Sequence, residues 1–233
     1  MSMIRVSEIF YSVQGEGVTV GVPAIFIRLQ GCNLDCGSRG GAWVCDTEAV
    51  WKRGEKRLIS ELAETIQVDF NEALRNGAHV VITGGEPLLQ QDAVIELLHQ
   101  FNNKWPIEIE TNGTILPHDP LKKRINYWNV SPKLSNSGEA FDKRVQPSLD
   151  WFSEQPNAIF KFVVNNENDI NEIESSFKWV KQLPIRQKFL MPAADNRIEL
   201  HQKYESIISL AKSNGYSLSQ RLHLTVWDQK TGI

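Results

Sequence analysis

The stretch from residue 23 to residue 36 reads PAIFIRLQGCNLDC, and the interpretation of the whole chain starts from it. Its first seven residues are mostly apolar, which predicts a buried β-strand over 23–29. The strand leads into a loop that contains Cys32, Cys36 and Cys45, and these are the only three cysteines of the chain. We therefore expect a fold in which a strand delivers a cluster of cysteines to one end of a sheet.

The clustered cysteines indicate an iron–sulfur site. Three thiolates are the number that holds three irons of a 4Fe–4S cube and leaves the fourth iron open. A disulfide framework does not fit an odd number of cysteines without a secretory signal. A closed zinc site needs four ligands, and His79, the nearest histidine, lies well outside the loop. The loop is polar and rich in glycine, unlike the surroundings of inert buried cysteines. Zinc remains the main alternative.

The composition is that of an ordinary globular protein. With 233 residues, 41% of them hydrophobic and 23% charged, the chain is long enough for one sizeable core, and we expect a single domain over 1–233. The net charge of −3 lacks the basic excess of nucleic-acid-binding proteins, so no nucleic-acid partner is expected. No apolar stretch reaches membrane-spanning length and the first residues do not resemble a signal peptide, which predicts a cytoplasmic protein without a membrane partner.

Apolar runs alternate with helix-like segments, which predicts repeated βα units around a mainly parallel sheet. The predicted strands cover 23–29, 79–83, 107–111, 127–131, 158–164 and 187–191, and a last strand covers 222–226. Apolar residues recur at helical spacing over 58–74, 91–101, about 169–181 and about 198–213. The sequence thus predicts an α/β fold with about six parallel strands and flanking helices.

Polar or glycine-rich motifs follow four of the predicted strands. They are Arg28 with the cysteine loop, Thr83-Gly84-Gly85-Glu86-Pro87, Thr111-Asn112-Gly113-Thr114 and Ser131-Pro132-Lys133. Because the carboxyl ends of parallel strands lie at the same end of a sheet, we expect these motifs to meet around one site. Consecutive glycines expose backbone amides and carbonyls to a ligand, although Gly-Gly and Pro are also common in plain turns.

The cysteine loop and the Gly84-Gly85-Glu86-Pro87 segment together resemble the radical S-adenosylmethionine (SAM) enzymes. Val13-Gln14-Gly15-Glu16-Gly17, Cys45-Asp46-Thr47 and Val130-Ser131-Pro132-Lys133 extend this to a resemblance to the 7-carboxy-7-deazaguanine synthase family. The resemblance implies a partial (β/α) barrel of the radical SAM type. It also implies a lyase that converts 6-carboxy-5,6,7,8-tetrahydropterin to 7-carboxy-7-deazaguanine with loss of ammonia, in the biosynthesis of queuosine and other 7-deazapurines.

The same resemblance implies site residues and partners. Cys32, Cys36 and Cys45 would ligate the 4Fe–4S cluster, and Thr47 would bind Mg²⁺. The residues implied for S-adenosylmethionine are Val44, Cys45, Asp46, Gly85, Ser131, Pro132 and Lys133. Those implied for the pterin substrate are Val13, Gln14, Gly15, Glu16, Arg28, Thr83 and Ile233. An electron donor such as flavodoxin or ferredoxin, and a homodimer, are further implications.

Arg28 also has support that does not depend on the resemblance. A guanidinium at the end of an apolar strand, facing a site, is suited to forked pairing with a substrate carboxylate. A solvated charge at the strand end is the alternative. The sequence therefore predicts Arg28 as the anchor for a carboxylate.

Two features depart from the family pattern. Eight residues separate Cys36 from Cys45, whereas two are usual in the superfamily. Trp227 and Asp228 stand near the end of the chain where short family members carry a His-Lys segment, and none of the five histidines is assigned a role. Three alternative functions stay open: a glycyl-radical-enzyme activase, a radical SAM enzyme acting on another pterin-like substrate, and a non-catalytic zinc-binding module.

Overall fold

The computed structural model describes residues 2–37, 39–230 and 232. Within these residues, nine strands form one sheet. Their bounds are β1 Met3–Val13, β2 Pro23–Leu29, β3 Glu55–Leu58, β4 His79–Gly84, β5 Ile107–Thr111, β6 Tyr127–Val130, β7 Ala158–Val164, β8 Lys188–Pro192 and β9 Ser217–Leu218. Strands β2, β5 and β7 have the bounds that the sequence predicted.

The sheet has the order β3-β1-β2-β4-β5-β6-β7-β8-β9. β1 pairs antiparallel with β2 and β3, and every neighbouring pair from β2 to β9 is parallel. In the described part of the chain β3 and β9 each have a single neighbour, so the sheet is open. The expected α/β fold is confirmed. Six of its parallel strands, β2 and β4 to β8, are those expected, and β9 adds a short seventh.

Helices form the connections between the parallel strands. In the described residues the α-helices are α1 Glu48–Trp51, α2 Ile59–Asp69, α3 Asn71–Arg75, α4 Gln91–His99, α5 Asp119–Arg124, α6 Phe141–Arg144, α7 Ser148–Ser153, α8 Glu167–Ser176, α9 Arg197–Asn214 and α10 Leu222–Trp227. Short 3₁₀ turns lie at Gly17–Thr19, Pro87–Gln90, Ser135–Ser137, Lys178–Gln182 and Ile185–Gln187. None of these helices is both long enough and apolar enough to cross a lipid bilayer.

One face of the sheet carries the main hydrophobic core. Side chains alternate between the two faces of a strand, so every second residue faces the helices. Ile27 of β2, Ile82 of β4, Ile109 of β5, Trp128 of β6 and Phe160 of β7 are fully buried in this core. Burying a side chain of this size contributes about 1.5–3 kcal/mol relative to leaving it exposed. The helices are therefore held against this face by apolar burial.

The opposite face of the same strands carries polar side chains beside a small apolar cluster of Ala24, Phe26 and Val81. The neighbours of the core residues in β2 and β4 to β7 are Arg28, Thr83, Glu110, Asn129 and Lys161, and all five line a cavity. Period-two alternation thus places the main apolar core on one face of the strands and these polar side chains on the cavity face. Residues of the cysteine loop also line this cavity.

The prediction of a last strand over 222–226 is wrong. These residues belong to α10, in which the amides of Thr225 and Asp228 donate to the carbonyls of Arg221 and Leu224 at 3.0 Å each. The alternation of apolar residues misled the prediction, because only Leu224 is buried while Val226 is 49% exposed. The sheet ends instead with the two residues of β9.

Other boundaries also differ from the predictions. β1 precedes the strand that was predicted to be first, and no strand was predicted there. The helix predicted over 58–74 is divided into α2 and α3 at Phe70, whose φ of −115° and ψ of 20° interrupt the helix. The helix predicted for about 169–181 ends at Ser176 and is followed by the turn Lys178–Gln182. Regular apolar spacing does not reveal such breaks.

The start of α8 allows a direct test of helix capping. Asn166 accepts a hydrogen bond from the amide of Asn168 at 2.9 Å, and Asp169 accepts from the amide of Asn166 at 3.2 Å. We expect Asn166→Ala to lower the free energy of unfolding by about 1 kcal/mol, because it removes the capping acceptor. Urea unfolding followed by far-ultraviolet circular dichroism measures this loss.

The matched control is Asn71→Ala at the first position of α3. Asn71 is exposed, and its side chain makes no hydrogen bond to any described residue. We expect this change to alter the free energy of unfolding by less than about 0.5 kcal/mol. Equal losses in the two variants would contradict the role of Asn166.

Candidate functional site

A cavity of about 570 Å³ opens on the polar face of the sheet. It gathers most of the residues that the sequence predicted for the site: Val13, Gln14, Gly15, Glu16, Arg28, Cys32, Cys36, Val44, Cys45, Asp46, Thr47, Thr83, Gly85, Ser131 and Lys133. Pro132 is buried and is not part of the cavity wall. Ile233 lies outside the described residues. Segments far apart in sequence thus meet around one space, as expected for the carboxyl ends of parallel strands.

Cys32, Cys36 and Cys45 all line this cavity. Cys36 is buried and the other two are partly buried. The amide of Cys45 donates to the carbonyl of Cys36 at 3.4 Å, which closes the loop. Burial raises the pKa of Cys32 to about 11 and also raises the pKa of Cys36. A bound cationic centre would offset this penalty, because metal-bound thiols lose their protons. Three soft sulfur donors at one cavity wall fit a 4Fe–4S cluster.

The long segment between Cys36 and Cys45 packs against the turn Ser135–Ser137. The amide of Gly37 donates to the carbonyl of Ser137 at 2.8 Å, and the amide of Ala42 donates to the carbonyl of Asn136 at 2.7 Å. Trp43 Nε1 donates to Asn136 Oδ1 at 2.9 Å. Gly37, Ala42 and Trp43 are therefore anchored to the connection after β6, and the three cysteines still line one cavity.

The glycine-rich segment after β4 touches the cysteine loop directly. A Cβ atom at Gly85 would lie 2.4 Å from the carbonyl oxygen of Gly31 and 2.6 Å from Cβ of Cys32, so only glycine fits. The amide of Glu86 donates to the same Gly31 carbonyl at 2.8 Å. These contacts place the backbone of Gly85 beside the cysteines.

The buried carboxylate of Glu86 holds the glycine-rich segment after β4 in place. The carboxylate is fully buried and accepts from Thr111 Oγ1 at 2.9 Å, from the amide of Asn112 at 2.7 Å and from the amide of Leu88 at 3.0 Å. Burial raises the pKa of Glu86 to about 7, although these hydrogen bonds oppose the rise. Glu86 therefore ties the loop after β4 to the loop after β5. It acts on the position of the loop, because its side chain is not part of the cavity wall.

Lys133 places a positive charge beside the cysteines. Its Nζ donates to Ser131 Oγ at 2.9 Å and lies 5.6 Å from the centre of the Trp43 ring. The ammonium favours the thiolate forms of Cys32 and Cys36. A cation at this position suits an anionic ligand group, such as the carboxylate of an amino acid.

Arg28 and Thr83 are oriented by carboxylates. Arg28 Nε donates to Glu8 Oε1 at 2.7 Å, and the guanidinium lies 5.9 Å from the centre of the Phe10 ring. Thr83 Oγ1 donates to Glu110 Oε2 at 2.8 Å. Among the described residues the Nε–Glu8 bond is the only hydrogen bond of the guanidinium, so its terminal nitrogens are left to bind a ligand carboxylate.

A carboxylate network that was not predicted adjoins the cavity: Glu110 lines the cavity and Glu108 does not. Glu108 is fully buried and accepts from Thr19 Oγ1 at 3.0 Å and from Asn129 Nδ2 at 2.7 Å, while His79 Nδ1 lies at 2.5 Å. Gln14 Nε2 donates to the neighbouring Glu110 Oε1 at 3.1 Å. The signal in the sequence was the alternation of Glu108 and Glu110 with buried isoleucines in β5, which places both carboxylates on the polar face.

A second unpredicted group is a cluster of charges around Glu16. Lys161 Nζ lies 2.6 Å from Glu16 Oε2, and Arg221 Nε lies 3.6 Å from Glu16 Oε1. Arg221 also pairs with Asp46 at 2.5 Å. Burial raises the pKa of Glu16, but Lys161, His223 and Arg221 lower it by more, to about 2. Glu16 is therefore ionised and held between two cations.

The C-terminal segment contributes His223, to which sequence reasoning assigned no role. His223 lines the cavity, and a Cβ atom at Gly15 would lie 2.3 Å from His223 Nδ1. The amide of Leu222 donates to the carbonyl of Gly15 at 2.9 Å. Burial lowers the pKa of His223, which favours the neutral imidazole. A histidine of the C-terminal segment is thus present in the cavity wall, four residues before Trp227, where the family pattern has a histidine.

Comparison with known proteins agrees with this geometry. A family model described as a 4Fe-4S single cluster domain matches residues 13–130. A 7-carboxy-7-deazaguanine synthase from Pyrobaculum aerophilum is 35% identical over 98% of this chain and 97% of its own length. The enzyme of the same name from Halobacterium salinarum is 30% identical, covering 97% of this chain and 91% of its own.

The fold agrees as well. The crystal structure of QueE from Escherichia coli superposes with a TM-score of 0.68 and 25% identity, and the match covers 95% of each chain. The sequence relatives extend over nearly the whole chain, including the segments that bring Glu16, the cysteines and His223 to the cavity. This chain belongs to the 7-carboxy-7-deazaguanine synthase family.

Proposed function

We propose that this protein is a radical SAM lyase that converts 6-carboxy-5,6,7,8-tetrahydropterin to 7-carboxy-7-deazaguanine, with loss of ammonia, in the biosynthesis of queuosine and related 7-deazapurines. The observation that carries the proposal is the single cavity lined by the three cysteines, Gly85 and Arg28. The family membership of the chain supports the same reaction.

One side of the cavity is assigned to the binding of the two cofactors. Cys32, Cys36 and Cys45 would hold the cluster, and the Gly85 backbone with Ser131 and Lys133 would hold the polar end of S-adenosylmethionine. When bound, the two cofactors supply the one-electron chemistry with which the reaction begins. The protein positions them: Glu86 fixes the glycine segment, and Asn136 anchors the long cysteine loop. A cluster that must be reduced also implies an external electron donor such as flavodoxin or ferredoxin.

Thr47 is assigned to Mg²⁺ within the same proposal. Thr47 Oγ1 lies 3.6 Å from Cys45 Sγ, and Thr47 lines the same cavity. One hydroxyl ligand suits an ion that keeps several waters and is completed by its substrate. A homodimer is likewise carried over from the family as part of the proposal.

The substrate side contains complementary hydrogen-bonding groups. Arg28 would bind the carboxylate of the pterin, since its guanidinium is held in place by Glu8. Gln14 and Thr83 both donate to Glu110, which fixes the orientation of these two side chains. His223 offers a neutral imidazole that can accept or donate a proton. These neutral and charged groups suit a polar heterocycle with one carboxylate.

Product analysis tests the proposed function directly. Protein reconstituted with iron and sulfide without oxygen, then reduced, is supplied with S-adenosylmethionine, Mg²⁺ and 6-carboxy-5,6,7,8-tetrahydropterin. We expect mass analysis to show 7-carboxy-7-deazaguanine and release of ammonia. A reduced protein that contains a 4Fe–4S cluster but leaves the pterin unchanged would refute the assignment.

The cluster ligands give the next prediction. We expect Cys45→Ser to lower the iron content and to abolish turnover, because only two thiolates remain to hold the cube. Iron and sulfide analysis with electron paramagnetic resonance of the reduced protein measures the cluster. Ser60→Ala is the control, since Ser60 is exposed on α2 and does not line the cavity. Full iron content and turnover in Cys45→Ser would exclude Cys45 as a ligand.

Arg28 gives a prediction about substrate choice. We expect the wild type to bind 6-carboxypterin roughly 10–100-fold more tightly than unsubstituted pterin, which corresponds to about 1.5–3 kcal/mol for charge-assisted hydrogen bonds. In Arg28→Met this preference should disappear, because the carboxylate loses its guanidinium partner. Equilibrium dialysis of the reconstituted protein measures both affinities.

The control for Arg28 is Arg57→Met. Arg57 lies on β3, donates to Thr65 and does not line the cavity, so the preference for the carboxylate should be unchanged. If the preference survives in Arg28→Met, a residue other than Arg28 binds the carboxylate. A wild type that prefers unsubstituted pterin would favour a different pterin-like substrate.

A further inference from the structure

Arg221 connects three walls of the cavity. It precedes α10 and is only 6% exposed. Its guanidinium donates to the carbonyl of Ala194, which follows β8, and to Asp46 Oδ2 at 2.5 Å, next to Cys45. Its Nε faces Glu16, in the segment after β1, at 3.6 Å. The three partners belong to three different segments of the chain, and a single side chain spans them.

We propose that Arg221 is a positioning residue that couples the binding of the pterin to the binding of S-adenosylmethionine. This inference rests on the function proposed above, in which Glu16 belongs to the substrate side and Asp46 to the cofactor side. Arg221 is in contact with both carboxylates. Restricting the motion of one carboxylate therefore also restricts the motion of the other, because both contact the same guanidinium.

The contact with Glu16 is incomplete in this structure. A distance of 3.6 Å is an ion pair but is too long for a hydrogen bond, and Arg221 Nε is a buried donor without an acceptor among the described residues. A buried donor without a partner costs free energy. A small shift of Glu16 toward Arg221 completes the bond. A ligand that fixes the segment containing Glu16 thus also fixes the guanidinium.

The contact with Asp46 transmits this order to the cofactor side. The side chain of Asp46 is 53% exposed, whereas that of Arg221 is 7% exposed. Within the described residues, Arg221 is the only hydrogen-bond partner of the Asp46 carboxylate. Immobilising Arg221 therefore also orders a half-exposed carboxylate next to Cys45. The entropy lost when the first ligand binds is not lost again when the second binds, which makes the coupling positive.

Lys161 ensures that Glu16 keeps its charge while it interacts with Arg221. Lys161 Nζ holds Glu16 Oε2 at 2.6 Å, and Glu16 Oε1 is left toward Arg221. Oε2 of Glu16 is therefore fixed by Lys161, while Oε1 can still move toward Arg221. This geometry suits a group that responds to a ligand without leaving its site.

The test is a pair of affinity measurements on the reconstituted, oxygen-free holoenzyme. The dissociation constant of S-adenosylmethionine is measured by equilibrium dialysis with and without saturating 6-carboxypterin, an aromatic analogue that lacks the saturated ring of the substrate. We expect the analogue to tighten S-adenosylmethionine binding at least about fivefold in the wild type. By linkage, S-adenosylmethionine must tighten binding of the analogue by the same factor.

In Arg221→Met we expect this factor to fall to about one, while the iron content stays at the wild-type level. A side chain with a purely structural role would weaken both affinities and leave their ratio unchanged. Arg197→Met is the matched control. Arg197 also holds the C-terminal segment, through the carbonyl of Val226 at 2.9 Å, but it is exposed and does not line the cavity. Its coupling factor should equal that of the wild type.

Asp46→Asn decides the question if Arg221→Met fails to fold or to hold iron. The residue is half-exposed, so the fold should tolerate the change, and the coupling should fall as it does in Arg221→Met. A wild type that binds both ligands without coupling overturns the proposal, and so does full coupling in Arg221→Met or in Asp46→Asn. Loss of coupling in Arg197→Met overturns it too. A wild type that binds no carboxypterin refutes the proposed function instead.

Discussion

The need to pair buried charges on the polar face of the sheet is the constraint on which the rest of the structure depends. β5 and β7 place Glu108 and Lys161 at positions that are only 0% and 4% exposed. An unpaired buried charge costs several kcal/mol, so each must find partners from other segments. Glu108 accepts from the side chains of Thr19 and Asn129, and Lys161 pairs with Glu16. The segment after β1 is therefore held against the sheet, and this contact forms one wall of the cavity.

Much of the fold could be predicted because its parallel strands are buried on both sides. Such a strand has a nearly continuous apolar run, as in 158–164, whose bounds the structure reproduces. β1 was missed since its polar and apolar residues are mixed, and its position depends on pairing with β2 and β3. The break at Phe70 was missed for a related reason. Helical spacing continues across it, and only the packed structure shows where the backbone turns.

The site likewise contains some residues that the sequence predicted and others that it could not predict. Cys32, Cys36 and Cys45 and the glycine segment could be recognised because their chemistry is local in sequence. Lys161 and Arg221 could not, because a single charge inside an apolar run or near the end of a chain carries no local signal. Their partners lie 145 residues away, in the case of Lys161 and Glu16, and 175 residues away, in the case of Arg221 and Asp46. Charges that act together at this separation are identified only by the fold.

The C-terminal helix shows why the failed strand prediction matters for the site. In a strand, alternate residues would face opposite sides, and only one side could pack against the protein. In α10, Leu224 instead packs with Ala194 and Leu200 in a small core of its own. That contact anchors the helix beside the cavity, while Arg221 and His223 line its wall. The apolar residues of this segment thus decide where its polar residues act, and both requirements are met within α10 and the residue that precedes it.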